Sequence, residues 1–212
     1  MRMVGREQEL ALLVDMLDRA EAGAGGLAVL TGEAGIGKTR LVTEWAAEAR
    51  RRGFVVLMGR AIDSGGSLRP VAQALMEAVR DRELLDAPAL RPFRAALSRV
   101  LPGIVAEEPI ASTIDPTVVL GEGVLRLLRS VGGSGTLLLL EDLHWADPDT
   151  VALLDSLGGA LSSSPIVASP RVSANRYLRQ TGSLLSLSQP MCQTPERPAR
   201  WSAYGPPRTR PG

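Results

Sequence analysis

Eight consecutive residues constrain this chain more than any others. They are Gly32-Glu33-Ala34-Gly35-Ile36-Gly37-Lys38-Thr39, two glycines flanking four residues and followed by Lys and Thr. Glycines here allow backbone conformations closed to other residues and let main-chain N–H groups approach an anion closely. A helix starting at Lys38 would add its positive end to the same point. The pattern is that of a phosphate-binding loop, provided that a buried strand precedes it and a helix follows it.

Both flanks are present. Leu27-Ala28-Val29-Leu30-Thr31 is a short apolar run suited to a buried parallel strand. Leu41, Val42, Trp45, Ala46 and Ala49 share one face of a helix from Lys38 to about Arg52, which Gly53 stops. Phe54–Met58 is a second strand. Strand, loop, helix and strand in this order require a parallel sheet with a right-handed crossover. The predicted fold class is therefore α/β, a three-layer P-loop architecture around a parallel sheet.

Lysine usage singles out the same loop. The chain has 24 Lys and Arg residues, of which Lys38 is the one lysine. Arginine serves wherever else a cation is wanted, and a slim ammonium is kept where phosphate oxygens would leave little room for a forked guanidinium. Thr39 is the expected Mg²⁺ ligand, because that ion prefers hard oxygen donors and keeps several waters.

A magnesium–nucleotide site also needs carboxylates at the end of a neighbouring strand. Leu137-Leu138-Leu139-Leu140 runs straight into Glu141-Asp142 and supplies them. One acid would hold the metal shell and the other orient or deprotonate a water, with Lys38 on the terminal phosphates.

The remaining elements are coarser. Residues 7–22 read as a helix, as do 70–85, 91–101 and 116–131, with Pro88 and Pro92 near a helix start. Residues 102–115 read as irregular. Asp147 N-caps a helix with Pro148 at its first position and Asp149 in its first turn. Pro165–Ala168 is a candidate fourth strand. Since 45% of residues are hydrophobic but only 3% aromatic, the core must be built of Leu, Val and Ala. One cysteine excludes an intrachain disulfide. The charged N-terminus does not resemble a signal peptide, and no apolar run approaches the ~18 residues of a membrane helix. The expected setting is the cytoplasm.

Past Ser162-Ser163-Ser164 the text changes. From Pro165 on there are seven arginines, one acid and eight of the 15 prolines, and periodicity is lost. We expect an ATPase-like core over residues 1–168 and a disordered Pro/Arg/Ser-rich tail over 169–212.

Val4-Gly5-Arg6-Glu7, the phosphate loop and Leu137–Asp147 (LLLLEDLHWAD) together resemble the ATPase module of signal-transduction ATPases with numerous domains, relatives of the AAA+ group. Within that group the likeness is to the N-terminal region of large LuxR-type bacterial transcriptional regulators. The module is also similar to the ATPase segment of some bacterial adenylate cyclases and kinases. The resemblance covers roughly residues 3–167. It implies ATP and Mg²⁺ as ligands, with Gly32, Glu33, Ala34, Gly35, Ile36, Gly37, Lys38, Thr39 and Arg40 around the phosphates and Val4 and Gly5 near the adenine. It puts Glu141 at the Mg²⁺-associated acid and Asp142 at the water-activating acid, so that Thr39, Glu141 and Asp142 form the metal set. It gives His144 and Trp145 a recurrent place, which for His144 reads as packing.

The chain also departs from the family. Ala168-Ser169-Pro170-Arg171 stands where a polar or arginine sensor is expected, and no fifth strand is visible beyond it. The sheet is expected to be incomplete at its C-terminal end, which would leave the loop strand as an exposed edge. A truncated, frame-shifted regulator would read this way.

Several functions remain open: a slow regulatory ATPase, a nucleotide-binding module without turnover, and the ATPase segment of a cyclase or kinase. A regulatory protein or a second copy of the chain is a candidate partner. Direct DNA binding is not expected, because no helix-turn-helix with a basic recognition helix is visible and the body before Pro165 is acidic. No guanine-reading segment of the Asn-Lys-x-Asp type appears, and only the family likeness favours adenine.

Overall fold

In the computed structural model, described over residues 6–32, 35–79, 82–104, 114–173 and 185–187, the expected strand–loop–helix–strand unit forms the centre. Helix α1 (Glu7–Glu21) leads into β1 (Gly26–Gly32), the glycine loop, α2 (Lys38–Arg51) and β2 (Phe54–Arg60). There follow α3 (Arg69–Ala78), a short α4 (Arg94–Leu97), α5 (Pro116–Ser130), β3 (Gly135–Glu141), α6 (Pro148–Leu161), β4 (Ile166–Ser173) and β5 (Leu185–Leu187).

All strand pairs are parallel, in the order β2-β3-β4-β1-β5. Strand β3 lies inside the sheet, and every residue from Gly135 to Leu140 is buried. This explains its unbroken apolar text, since a strand covered on both faces has no solvent side on which to alternate. One face packs Leu138 and Leu140 with Ala168 and Val172 under α3, α5 and α6. The other packs Leu137, Leu139, Val167, Ala28 and Leu30 under α1 and α2, with Trp45 fully buried among them. The chain is thus a three-layer α/β structure, as the sequence predicts. Each fully buried leucine of these layers contributes about 1.5–3 kcal/mol.

Three expectations need correction. The helix expected over 91–101 is instead a 3-10 helix over Pro88–Phe93 followed by the single turn α4. Pro92 lies inside the 3-10 stretch, not near a helix start. It has no N–H to donate, which favours short, tight turns over a regular ladder. The helix expected over 70–85 likewise ends at Ala78, and Arg82–Asp86 is a separate 3-10 turn.

The second correction concerns the fourth strand. It does not stop at Ala168 but runs to Ser173, so the boundary drawn at 168 falls inside β4. Pro170 hides the strand in the sequence, because proline argues against a central strand. Its effect on pairing is local. The ladder to β1 pairs Leu27 with Ala168 and resumes at Leu30 with Arg171, while β3 pairs through Leu140 with Pro170.

Third, β1 is not an open edge along its middle. Leu185–Leu187 pairs with Ala28–Leu30. Residues 174–184 and 188–212, on which most of the expected tail falls, lie outside the described residues.

Candidate functional site

Parallel strands bring their C-terminal ends to one rim of the sheet, where ligands of open α/β folds bind. Here β1 ends in the glycine loop, β3 in Glu141-Asp142, β2 in Arg60 and β4 at Arg171 and the two residues after it. The register places Arg60 beside Glu141, and Gly32 beside Ser173.

The loop is shaped by glycine. Gly35 and Gly37 have φ of +82° and +92°, and a Cβ on either would meet nothing within 4 Å. Gly37 N-caps α2 in the left-handed region, which brings the first N–H groups of that helix to the loop. A Cβ on Gly32 would strike Ile36 Cδ1 at 2.3 Å. Lys38 Nζ donates to Gly32 O at 2.6 Å, closing the loop on itself. Burial pushes the Lys38 ammonium below its ordinary value; Arg171 and Arg6 push it further and Asp142 pulls it back. Arg6 Nη2 is itself buried and has no hydrogen-bond partner among the described residues. Glycine-framed backbone at a helix N-terminus, with an ammonium beside it, suits a polyanion.

Thr39 and Arg40 are exposed on the first turn of α2. Thr39 Oγ1 accepts a hydrogen bond from Arg171 Nη1 at 3.0 Å. The same nitrogen lies 3.2 Å from Glu141 Oε1, and Nη2 lies 3.8 Å from Asp142 Oδ1. Asp142 Oδ2 accepts from Arg60 Nε at 2.7 Å. Asp142 has φ +56° and ψ +36°, and turns the chain from β3 into the 3-10 turn Leu143–Trp145. A non-glycine residue held in that region costs on the order of 1–3 kcal/mol, and such strain clusters at functional sites.

Of the residues singled out in the sequence, Gly32, Gly35, Ile36, Gly37, Lys38, Thr39, Glu141 and Asp142 converge on this rim. Val4, Gly5, Glu33 and Ala34 lie outside the described residues. His144 packs against Trp145 with ring centroids 5.1 Å apart, and its Nδ1 is buried with no hydrogen-bond partner among the described residues. Two residues of the site were not among the candidates. Arg171 was noted only as part of Ala168-Ser169-Pro170-Arg171, the segment at the expected sensor point, and counted with the tail arginines, yet its side chain is only 11% exposed. Arg60 closes β2, and the rule that ligands gather at strand C-termini was the available signal for it.

The donor set fits a hard divalent ion bound together with phosphate. It offers one hydroxyl and two carboxylates, and among the described residues no group of three His, Cys, Asp or Glu forms a self-sufficient metal cage. Mg²⁺ is commonly held this way, by few protein oxygens with phosphate and water completing the shell.

Fold and site together define a P-loop nucleotide-binding module. A family model described as "AAA ATPase domain" matches residues 2–168, and the chain belongs to that family. Membership in a family so described implies nucleotide binding. The chain is also similar to an uncharacterized protein of Rhizobium meliloti (strain 1021), at 26% identity over 187 residues. That match covers 78% of this chain and 18% of the relative, so the chain spans only a small part of the relative's length. Among the described residues no helix is long and apolar enough to cross a membrane.

Proposed function

We propose that the chain is a regulatory nucleotide switch which binds ATP with Mg²⁺ through Gly32–Thr39 and hydrolyses it slowly to ADP and phosphate. One observation carries the reading: Lys38, Thr39, Glu141 and Asp142 meet at one rim of the sheet, on a helix N-terminus framed by glycines in left-handed conformations. Lys38 leaves the Gly32 carbonyl to grip the β- and γ-phosphates, which its single point charge suits. Thr39 and Glu141 hold the metal shell, and Asp142 orients and deprotonates the attacking water. Bound Mg²⁺ supplies charge neutralisation across the terminal phosphates. The regulatory part rests on the resemblance to LuxR-type regulators, in which such a module switches an attached or associated effector. A second copy or a regulatory protein is the partner we favour, in the cytoplasm, with no direct contact to DNA.

A second reading, binding without turnover, is favoured by one contact pattern. Asp142 faces arginine on both sides, Arg60 at Oδ2 and Arg171 at Oδ1. Each carboxylate oxygen is thus already directed at a guanidinium rather than left open to a water. Isothermal titration with ATP, ADP and GTP, with and without Mg²⁺, tests the binding role. Lys38→Ala should weaken ATP binding about a hundredfold. Phosphate release then separates the two readings: Asp142→Ala should retain binding and lose turnover. If Asp142→Ala leaves a measurable rate unchanged, Asp142 is not the base. If wild type binds MgATP and releases no phosphate, the second reading stands.

A further inference from the structure

The guanidinium of Arg171 occupies the place where a metal ion is expected. A single nitrogen, Nη1, lies 3.0 Å from the Thr39 hydroxyl and 3.2 Å from the Glu141 carboxylate. The other arm points to Asp142 at 3.8 Å. Thr39 and Glu141 are the groups given above to the metal shell, Asp142 is the acid beside them, and one largely buried cation from β4 faces all three. Strand parity explains how it gets there. Val167 faces the α1 and α2 side of the sheet, and Arg171, four residues on, returns to that face level with the end of β3. A guanidinium can serve three acceptors at once because its N–H donors are spread over a rigid fork; an ammonium cannot hold such a set with the same geometry.

We propose that Arg171 is a resident substitute for the divalent cation, satisfying Thr39, Glu141 and Asp142 in the nucleotide-free protein and excluding metal until polyphosphate arrives. The proposal rests on the magnesium–nucleotide reading of this site and deepens it. Two charges of the same sign cannot share three ligands at contact distance, so metal entry and Arg171 departure are one event. Metal alone gains nothing by displacing the arginine. A nucleotide changes the balance, because its phosphate oxygens offer the released guanidinium new acceptors and the metal additional ligands. Binding of nucleotide is therefore ordered before or with metal. Arg171 also supplies positive charge to a nucleotide that arrives without metal, so the protein should retain affinity for ATP in the presence of a chelator.

The test is a Mn²⁺ titration of the full chain without nucleotide, read by electron paramagnetic resonance of the free ion. Wild type should bind weakly. Arg171→Gln, which removes the charge at similar length, should bind at least about tenfold more tightly, and Glu141→Gln on that background should abolish the gain. In parallel calorimetry, chelator should weaken ATP binding more in Arg171→Gln than in wild type. Circular dichroism establishes that the variants are folded. Should Arg171→Gln fail to fold, Arg171→Lys decides the matter: a several-fold gain in Mn²⁺ affinity supports the proposal, and unchanged affinity overturns it. Equal Mn²⁺ affinity in wild type and folded Arg171→Gln also overturns it. A parallel MgATP titration of wild type keeps two failures apart. Normal MgATP binding with unchanged Mn²⁺ affinities sinks only the role of Arg171, whereas no MgATP binding removes the site reading and this role with it.

Discussion

Individual residues at the rim are constrained by backbone as much as by charge. Gly59, next to Arg60 at the end of β2, shows how closely the elements meet there. A Cβ on it would lie 1.7 Å from the Pro70 carbonyl oxygen and 2.7 Å from its carbon. No rotamer relieves a clash with main chain, so β2 and α3 would have to move apart. Gly59→Ala should therefore destabilise the protein by about 1–3 kcal/mol or more, read as a lowered urea midpoint with unchanged m-value. Gly37 is a different case, with φ +92° and open space beyond. Its demand is conformational, and it was legible from the loop pattern. The demand on Gly59 was not, because the atom it avoids belongs to a helix that starts ten residues later. Asp142 also conceals its geometry: an aspartate after a strand carries no sign in its sequence context of the left-handed turn it makes.

Among the elements, α6 shows a cap that ties two segments together. Asp147 accepts hydrogen bonds from Thr150 N at 3.0 Å and Thr150 Oγ1 at 2.5 Å, and it reaches across to Leu68 N at 3.1 Å. Burial pushes its carboxyl up, but the bonds from Thr150 and Leu68 outweigh that and hold it below its ordinary value of 3.8. The folded state thus binds the proton more weakly than the unfolded state. The stabilisation is complete above the unfolded value and is lost as pH falls through the depressed one. Asp147→Ala should cost about 1–2 kcal/mol at pH 7, and the difference from wild type should shrink in urea melts as the pH is lowered below 3.8. The cap itself could be read from Asp147-Pro148-Asp149. The bond to Leu68 could not, since it joins segments 79 positions apart. Strand β4 makes the same point in reverse. Local text around Pro170 argues against a strand, and pairing to β3 on one side and β1 on the other overrides it.

For the whole molecule, sheet order decides which liabilities remain. Strand β5 covers three residues of β1. Ending the chain after Ser173 should uncover the middle of the phosphate-loop strand, whose residues Ala28–Leu30 are buried. Because an apolar edge templates strand pairing, the shortened protein should self-associate more strongly, seen as a higher mass in light scattering at equal concentration. An unchanged monomer–oligomer balance would show that β5 does not protect this edge. The sequence by itself determined the three-layer class, the glycine loop and the acidic pair, because these depend on local signals: apolar runs, helical spacing and residue types at fixed offsets. Only the tertiary structure decided that Arg60 and Arg171 close on those acids and that β4 passes through a proline. Such contacts depend on register between strands distant in the chain, and a shift of one residue in a strand would send each side chain to the opposite face.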